Sequence, residues 1–426
     1  MRRKGVWLLT ILLGLCLGLG GLTPSWAGEM DAKQLINLLQ KKGIITQEEA
    51  NSLMEEARSN AAKEKTEIKS EIKEDMKEVA KKGEFLPPAL KGFKFGTTIF
   101  AEWNAKTTQN GTSTNQFALN RGYATLTKDI NEWLGMNITS DLFTSKDVND
   151  KGQGLELRLK YAHANLFLLG TTSQLGLIPT PSDAYDSAIW PYRVQGKNLL
   201  DDLGIQASAD LGISNQGFFG GLMDDEYLKF ASRQYAGKWG GYHVGVFNGP
   251  GYSNVEANTN KVISGLVYFR PAPTVPVLKG LQFAYNGTYG SSNSNFTAKG
   301  QTNDYPALQV NVGQVSLQHQ YFTIMGQYYW GQATTTSTEE NKRRGYLVDG
   351  FVRIPGVEKL RVFGKWYNFD PNTDVDNDDY STTVAGISYD WTKEFMPFVA
   401  WEHRTFSSSK FGNDYDMVQV GFQLKF

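Results

Sequence analysis

The chain has 426 residues, 40% of them apolar and 20% charged, and its 43 basic and 44 acidic residues leave a net charge of −1. No overall field therefore points to nucleic acid or to acidic partners. The single cysteine, Cys16, lies inside an N-terminal apolar run. With that run removed, no disulfide, thiolate metal site, thiol nucleophile or c-type haem attachment is open to the rest.

The first residues, Met1-Arg-Arg-Lys4, are basic, and positions 6–22 are apolar and uncharged. Ser25-Trp26-Ala27 follows with the small-x-small spacing of a signal-peptidase site. Residues 1–27 are expected to be a cleaved secretory signal. The alternative is an uncleaved anchor, but the run is near the lower limit for a membrane helix and a cleavage site follows it. Leu15 before Cys16 does not fit a lipoprotein site, which needs a small residue there.

Residues 28–84 carry a helical pattern. Asp31 can cap a short helix that stops at Lys41-Lys42-Gly43, with cations and a glycine where a helix end favours them. Thr46-Gln-Glu-Glu49 reads as a capping box. The helix after it is expected to run to about residue 82, with Ala50, Ala61 and Ile72, and Ala57, Ile68 and Val79, recurring every eleven residues. That period suits a nearly straight or slightly right-handed coiled coil. A solvated single helix is the alternative, given its Lys and Glu content. Gly83 and Pro87-Pro88 end it, and residues 85–92 form a linker.

From residue 93 to 426 the period changes to two. Leu134-Met136-Ile138, Leu155-Leu157-Leu159-Tyr161, Leu281-Phe283-Tyr285, Leu308-Val310-Val312 and Ala385-Ile387-Tyr389-Trp391 alternate with polar residues or glycine. The last strand, Met417-Val-Gln-Val-Gly-Phe-Gln-Leu-Lys-Phe426, puts Val418, Val420, Phe422, Leu424 and Phe426 on one face. A strand apolar on one side and polar on the other, ending in an aromatic residue, fits a lipid-facing barrel better than a soluble sandwich. Phe422, Leu424 and Phe426 resemble the C-terminal signal read by the barrel-assembly machinery of bacterial outer membranes. Aromatics at 13% and 44 glycines also suit aromatic girdles and crowded strands.

Connectors sort by length. Short ones are expected at 129–131, 319–321, 355–357 and 392–393, and long polar ones at 107–116, 145–154, 291–303, 333–342 and 371–379. Short turns on one side and long loops on the other mark an outer-membrane barrel of about sixteen strands, with the chain ends on the turn side. Residues 214–240 fit this scheme poorly, with a strand-like piece near 227–235.

The fold class is therefore all-β, a transmembrane antiparallel barrel of about sixteen strands preceded by a periplasmic helical segment. The pieces LLQKKGIITQEEA, LGLIPTP, SADLG and GVFNGPGY, with a signal and a Leu-rich then Lys/Glu-rich helical segment, resemble porins of the phosphate-selective O/P type. The resemblance implies a homotrimeric, general or anion-preferring channel. In sixteen-stranded porins the third long loop folds into the lumen. Here that loop runs from residue 179 to 198, with a strand expected near 203–213, and carries Asp183, Asp186, Trp190, Tyr192, Arg193 and Lys197 as constriction candidates. The alternative is an ordinary extracellular loop.

Inward positions mix signs, with Arg121, Arg158, Lys160, Arg353, Arg361 and Lys365 among Glu102, Asp141, Glu156 and Asp349. That mixture departs from the basic lumen of phosphate-selective members, and plain solvation of the lumen explains any single charge. The four histidines form no catalytic pattern, and no cofactor is expected. The acidic stretch 370–379 lacks the glycine and final glutamate of an EF-hand loop, so it reads as a solvated loop that could bridge to lipopolysaccharide through divalent ions. The expected function is passive diffusion of small hydrophilic solutes and ions through an outer membrane, with lipid and lipopolysaccharide as surroundings and no nucleic-acid partner. The alternative is a structural tether whose helical segment contacts peptidoglycan or a periplasmic protein.

Overall fold

The computed structural model describes Thr46, Glu48, Glu49, Asn51, Ser52, Glu55 and residues 92–144, 154–296 and 304–426. The expected signal, the short helix capped by Asp31, most of the long helix and all of the linker but Gly92 lie outside the described residues. The capping box is formed: Thr46 N–H donates to Glu49 Oε2 at 2.8 Å and Glu49 N–H donates back to Thr46 Oγ1 at 3.3 Å. Glu48, Glu49, Asn51, Ser52 and Glu55 are helical.

The chain divides into two units, and the second is Gly92–Phe426. It is a closed barrel in which each strand pairs antiparallel with its neighbours in sequence and β1 closes on β16. The strands are β1 Phe93–Thr108, β2 Ser113–Asp129, β3 Leu134–Thr144, β4 Leu155–Leu168, β5 Thr171–Pro179, β6 Ala209–Phe219, β7 Gly240–Phe247 and β8 Val262–Phe269. The second half is β9 Leu281–Ser291, β10 Ala307–Gln318, β11 Phe322–Gln332, β12 Lys342–Ile354, β13 Val357–Asp370, β14 Tyr380–Tyr389, β15 Phe395–Phe406 and β16 Tyr415–Lys425.

Closure satisfies every edge, as a strand assembly in lipid requires. At the seam Ile99 faces Leu424, Ala101 faces Phe422 and Trp103 faces Val420, all on the outer surface. The last residue is stitched in: Thr97 N–H donates to Phe426 O at 2.8 Å and Phe426 N–H to Thr97 O at 3.0 Å. The outside of β9 to β12 carries Tyr285, Tyr289, Tyr328, Trp330 and Tyr346, all well exposed, as a lipid interface favours.

The register corrects several expectations. The first loop is shorter than 107–116, because β1 and β2 run on and leave only 109–112. Tyr161 does not share the outer face of Leu159. A bulge sets Thr139 opposite Tyr161 and Ser140 opposite Leu159, so Lys160 is the extra residue and both Lys160 and Tyr161 point inward. Leu308, Val310 and Val312 are buried on the inner face, where alternation alone places no apolar residue. The strand expected at 203–213 begins only at Ala209. The strand-like piece at 227–235 is instead two 3₁₀ turns, Tyr227–Lys229 and Arg233–Tyr235. They lie in connector 220–239, which breaks the sorting by length, because it belongs to the turn end yet is as long as a loop.

Candidate pore constriction

The loop between β5 and β6 carries two helices, α1 Pro181–Ile189 and α2 Leu199–Asp202. Pro181 starts α1, where a missing N–H does no harm. Trp190 ends it in extended geometry (φ −97°, ψ 108°) before Pro191, which disfavours helix in the residue preceding it. Asn198 ties the helices together, its Nδ2 donating to Asp183 Oδ1 at 2.9 Å and Ser187 Oγ at 2.8 Å.

Both ends of the loop are latched. Thr180 Oγ1 donates to Ala207 O at 2.9 Å, and Thr180 N–H to Ser208 O at 3.1 Å. The Asp210 carboxylate accepts from the backbone N–H groups of Gly249 and Leu211. Gly251 holds φ +86°, and a Cβ there would lie 2.3 Å from Ala207 Cβ, so no larger residue fits. Three of the four segments that carry the porin resemblance, at 175–181, 208–212 and 245–252, thus meet at the foot of this loop as one fastening.

From there the loop crosses the barrel interior. Tyr185 Oη donates to Gln282 of β9 at 3.3 Å, and Asp186 accepts from Gln327 of β11 at 2.7 Å. Tyr192 Oη meets Ser388 of β14 at 2.9 Å, and Gln195 Nε2 donates to Glu402 of β15 at 3.0 Å. The six candidates divide by role. Trp190 and Tyr192 are buried, with Tyr192 stacked on Phe363 at 4.1 Å between ring centroids and Trp190 beside it at 5.0 Å. Asp186 is buried too, and burial pushes its carboxyl up to about 7 against the pull of the Gln327 amide. Asp183, Arg193 and Lys197 join an ion network centred on Asp201: Arg193 lies 3.3 Å from Asp201 and 3.7 Å from Asp183, and Lys197 lies 3.1 Å from Asp201.

All ten inward candidates occupy inner-face register positions, several of them in the lumen with Asp183, Arg193, Lys197 and Asp201. Arg158 Nη2 lies 3.0 Å from Asp141 and Arg121 Nε 3.9 Å from the same carboxylate. The Arg158 guanidinium also rests on Phe143 at 4.2 Å and Tyr252 at 4.5 Å, geometry that holds a cation still. Lys160 donates to Ser208 Oγ at 2.8 Å, and the charges around it are Asp183, Arg193, Asp201 and Arg121. Glu156 lies opposite Phe143. Glu102 accepts from Gln419 at 3.0 Å and from Asn104 at 2.8 Å. Asp349 faces Lys365 across the β12–β13 ladder, while Lys365 donates to Lys197 O at 3.3 Å. Arg353 donates to Gln320 O at 3.0 Å and Arg361 pairs with Asp390, both toward the turn end.

Asp201, Asp202, Gln195 and Arg404 were missed as site residues. Tyr367 Oη donates to Asp202 at 3.0 Å, and Arg404 donates to Tyr367 Oη at 2.6 Å. Asn198-Leu-Leu-Asp-Asp202, a cap followed by two apolar and two acidic residues, held the signal for α2 and its acids. In the acidic stretch Asp370 pairs with Arg344 at 3.1 Å. On the outer wall His403 Nδ1 contacts Asp416 at 3.0 Å and its Nε2 contacts Thr405 Oγ1 at 2.9 Å, with Trp401 also donating to Asp416.

No family model matches the chain, and no curated protein matches it either. Solved structures do. The anion-selective porin of Comamonas acidovorans aligns over 78% of this chain and 99% of its own, at 13% identity and a TM-score of 0.53. OprB of Pseudomonas putida, in a high-pH structure, aligns over 79% and 94% at 10% identity and a TM-score of 0.55. OmpF of Salmonella typhi, in complex with daunomycin, aligns over 78% and 97% at 13% identity and a TM-score of 0.52. The fold is that of an outer-membrane porin. At such identities the likeness is one of porin architecture, and function has to be argued from the site.

Proposed function

We propose that the chain is a diffusion porin of a Gram-negative outer membrane, passing small hydrophilic solutes and ions through a constriction set by the β5–β6 loop. The observation that carries this reading is the opposition of charge inside the barrel. Arg121, Arg158 and Lys160 line one wall around Asp141, and the loop sets Asp183 and Asp201, paired with its own Arg193 and Lys197, near Lys160. Opposed charges create a transverse field, which orders water and favours polar solutes over apolar ones. Because Asp141, Asp183 and Asp201 offset the cations, we read the selectivity as weak rather than phosphate-specific, whatever the resemblance to O/P-type porins suggests. A homotrimer in lipid and lipopolysaccharide, inserted by the barrel-assembly machinery, fits this reading. Residues 28–84 are read as a periplasmic helical segment, and the formed Thr46–Glu49 capping box supports a helix there.

The test is single-channel recording from refolded protein in planar bilayers, with the reversal potential measured under a salt gradient. Large steady steps with a small reversal potential are expected. A folded barrel that passes no current would sink the reading and promote the tether, for which deletion of residues 28–84 should release the barrel from the cell wall.

A further inference from the structure

Connector 220–239, between β6 and β7, is the one long connector at the turn end that folds back among inner-face residues. Its Tyr227 and Tyr235 are buried, at 0% and 4% exposure. The Tyr235 ring meets Tyr185 of α1 edge-on at 5.1 Å, and both rings contact Tyr268 of β8, at 5.9 and 5.5 Å. Tyr235 Oη is held by His243 Nδ1 at 2.8 Å. A polar relay runs beside the rings. Arg270, fully buried, donates to Tyr227 Oη at 3.0 Å. Tyr227 donates to Gln318 at 3.1 Å, Gln282 donates to Gln318 at 3.2 Å, and Tyr185 donates to Gln282 at 3.3 Å. The loop that enters from the loop end and the connector that enters from the turn end therefore meet inside the barrel, and Tyr185 takes part in both contacts.

We propose that connector 220–239 is a periplasmic-side buttress for the constriction loop, and that Tyr235 is a positioning residue that holds α1 against the β7–β9 wall. The proposal rests on the porin reading for its functional consequence but not for its structural claim. Beyond its feet the loop is also tethered at Asp186, Tyr192 and Gln195, and the N-terminal half of α1 has Tyr185 as its contact with the β7–β9 wall. Tyr235 closes that contact with rings that cannot slide past one another without unpacking, so α1 keeps one position and with it one pore size. The buttress sits on the β7–β9 side, away from the charges of β2 and β4, so it leaves the solute path there unobstructed.

The sole cysteine of the whole sequence is Cys16, so an Ala184→Cys substitution on the buried face of α1 gives the mature chain a single thiol. Its maleimide labelling rate is measured in folded barrels with Tyr235 intact and with Tyr235→Ala, alongside single-channel recordings of the same proteins. Tyr235→Ala is expected to speed labelling by about tenfold or more, as local opening becomes easier, and to add closures and current noise. Tyr235→Phe, which keeps the ring, should label like the parent. Should Tyr235→Ala fail to fold, Tyr235→Leu fills the space without the ring edges and is expected to behave as Tyr235→Ala does. Labelling within twofold of the parent in the folded variant overturns the buttress, with or without current. Faster labelling in a barrel that never conducts upholds the buttress and removes the porin reading instead.

Discussion

The two sides of the barrel interior differ in how much apolar surface they set against the constriction loop. Strands β8 to β15 present Leu266, Val310, Val312, Met325, Leu347, Phe351, Phe363, Val384 and Phe398 inward, all buried, with polar residues such as Gln282, Gln327, Asp349 and Lys365 among them. They pack against Trp190, Tyr192 and Ile189 of the constriction loop as one apolar cluster. Strands β2 to β4 present Arg121, Asp141, Arg158 and Lys160 in the same inner-face positions. A water-filled barrel asks for a polar lumen throughout. The difference shows that much of this interior has become a protein core with the loop as its second layer, and on the proposed porin reading the charged strands β2 to β4 are the ones left to line the solute path.

The largest effect should come from breaking the apolar half. Trp190 is 1% exposed and lies against Tyr192 and Phe363. Trp190→Ala removes a whole ring from a packed interior, and a loss of about 3–5 kcal/mol is expected. The check is the urea midpoint of barrels in vesicles, with an unchanged slope showing that the same surface unfolds. The same variant should show unsteady conductance, because the loop loses its anchor. A midpoint equal to that of the parent would mean that the loop contributes nothing to stability and that the apolar half is not a core.

The second effect concerns a carboxyl buried on the apolar side. Asp186 is 4% exposed, with Gln327 as its hydrogen-bond donor and Asp183, Arg193, Lys365 and Asp349 as the charges around it. Burial pushes its carboxyl from the usual 3.8 up to about 7. Between those values the folded state binds a proton at Asp186 that the unfolded state has released, so the contribution of this group to stability falls as pH rises from about 4 to about 7 and is flat on either side. Three pKa units bound the effect at about 4 kcal/mol. Asp186→Asn keeps an oxygen acceptor for Gln327 and removes the titration. Its urea midpoint should fall less than that of the parent across that window, and lie above that of the parent at pH 8.

This division of the lumen was only partly legible in the sequence. Alternation revealed the strands, the lipid-facing seam of β16 and the inner-face positions of all ten charges, because a period of two is fixed by backbone geometry. It did not say which face was outside wherever both faces carry apolar residues, as in β10, where Leu308, Val310 and Val312 face the loop rather than lipid. Connector 220–239 stayed unreadable for a related reason. Its Tyr227 and Tyr235 take their positions from partners such as Tyr185 and Gln318, distant in sequence, and no local period reports such contacts. The motifs at 175–181, 208–212 and 245–252 were visible but pointed to a family, and only the structure places them at the foot of the loop.

The smallest effect on stability, and the largest on selectivity, is expected in the charged half. Asp141 has no exposed side-chain surface and serves two guanidiniums, Arg158 at 3.0 Å and Arg121 at 3.9 Å. Asp141→Asn leaves both cations without their anion. Because their side chains keep 26% and 16% exposure, water takes up part of the deficit, and the loss should stay near 1–3 kcal/mol. The reversal potential should move toward anions, since the wall gains one net positive charge beside Lys160. Arg158→Ala should move it the other way and also loosen Tyr252, on whose ring Arg158 rests. Opposite shifts from these two substitutions place the solute path along β2 to β4. If neither moves the potential while Trp190→Ala does, the path runs through the half assigned to the core.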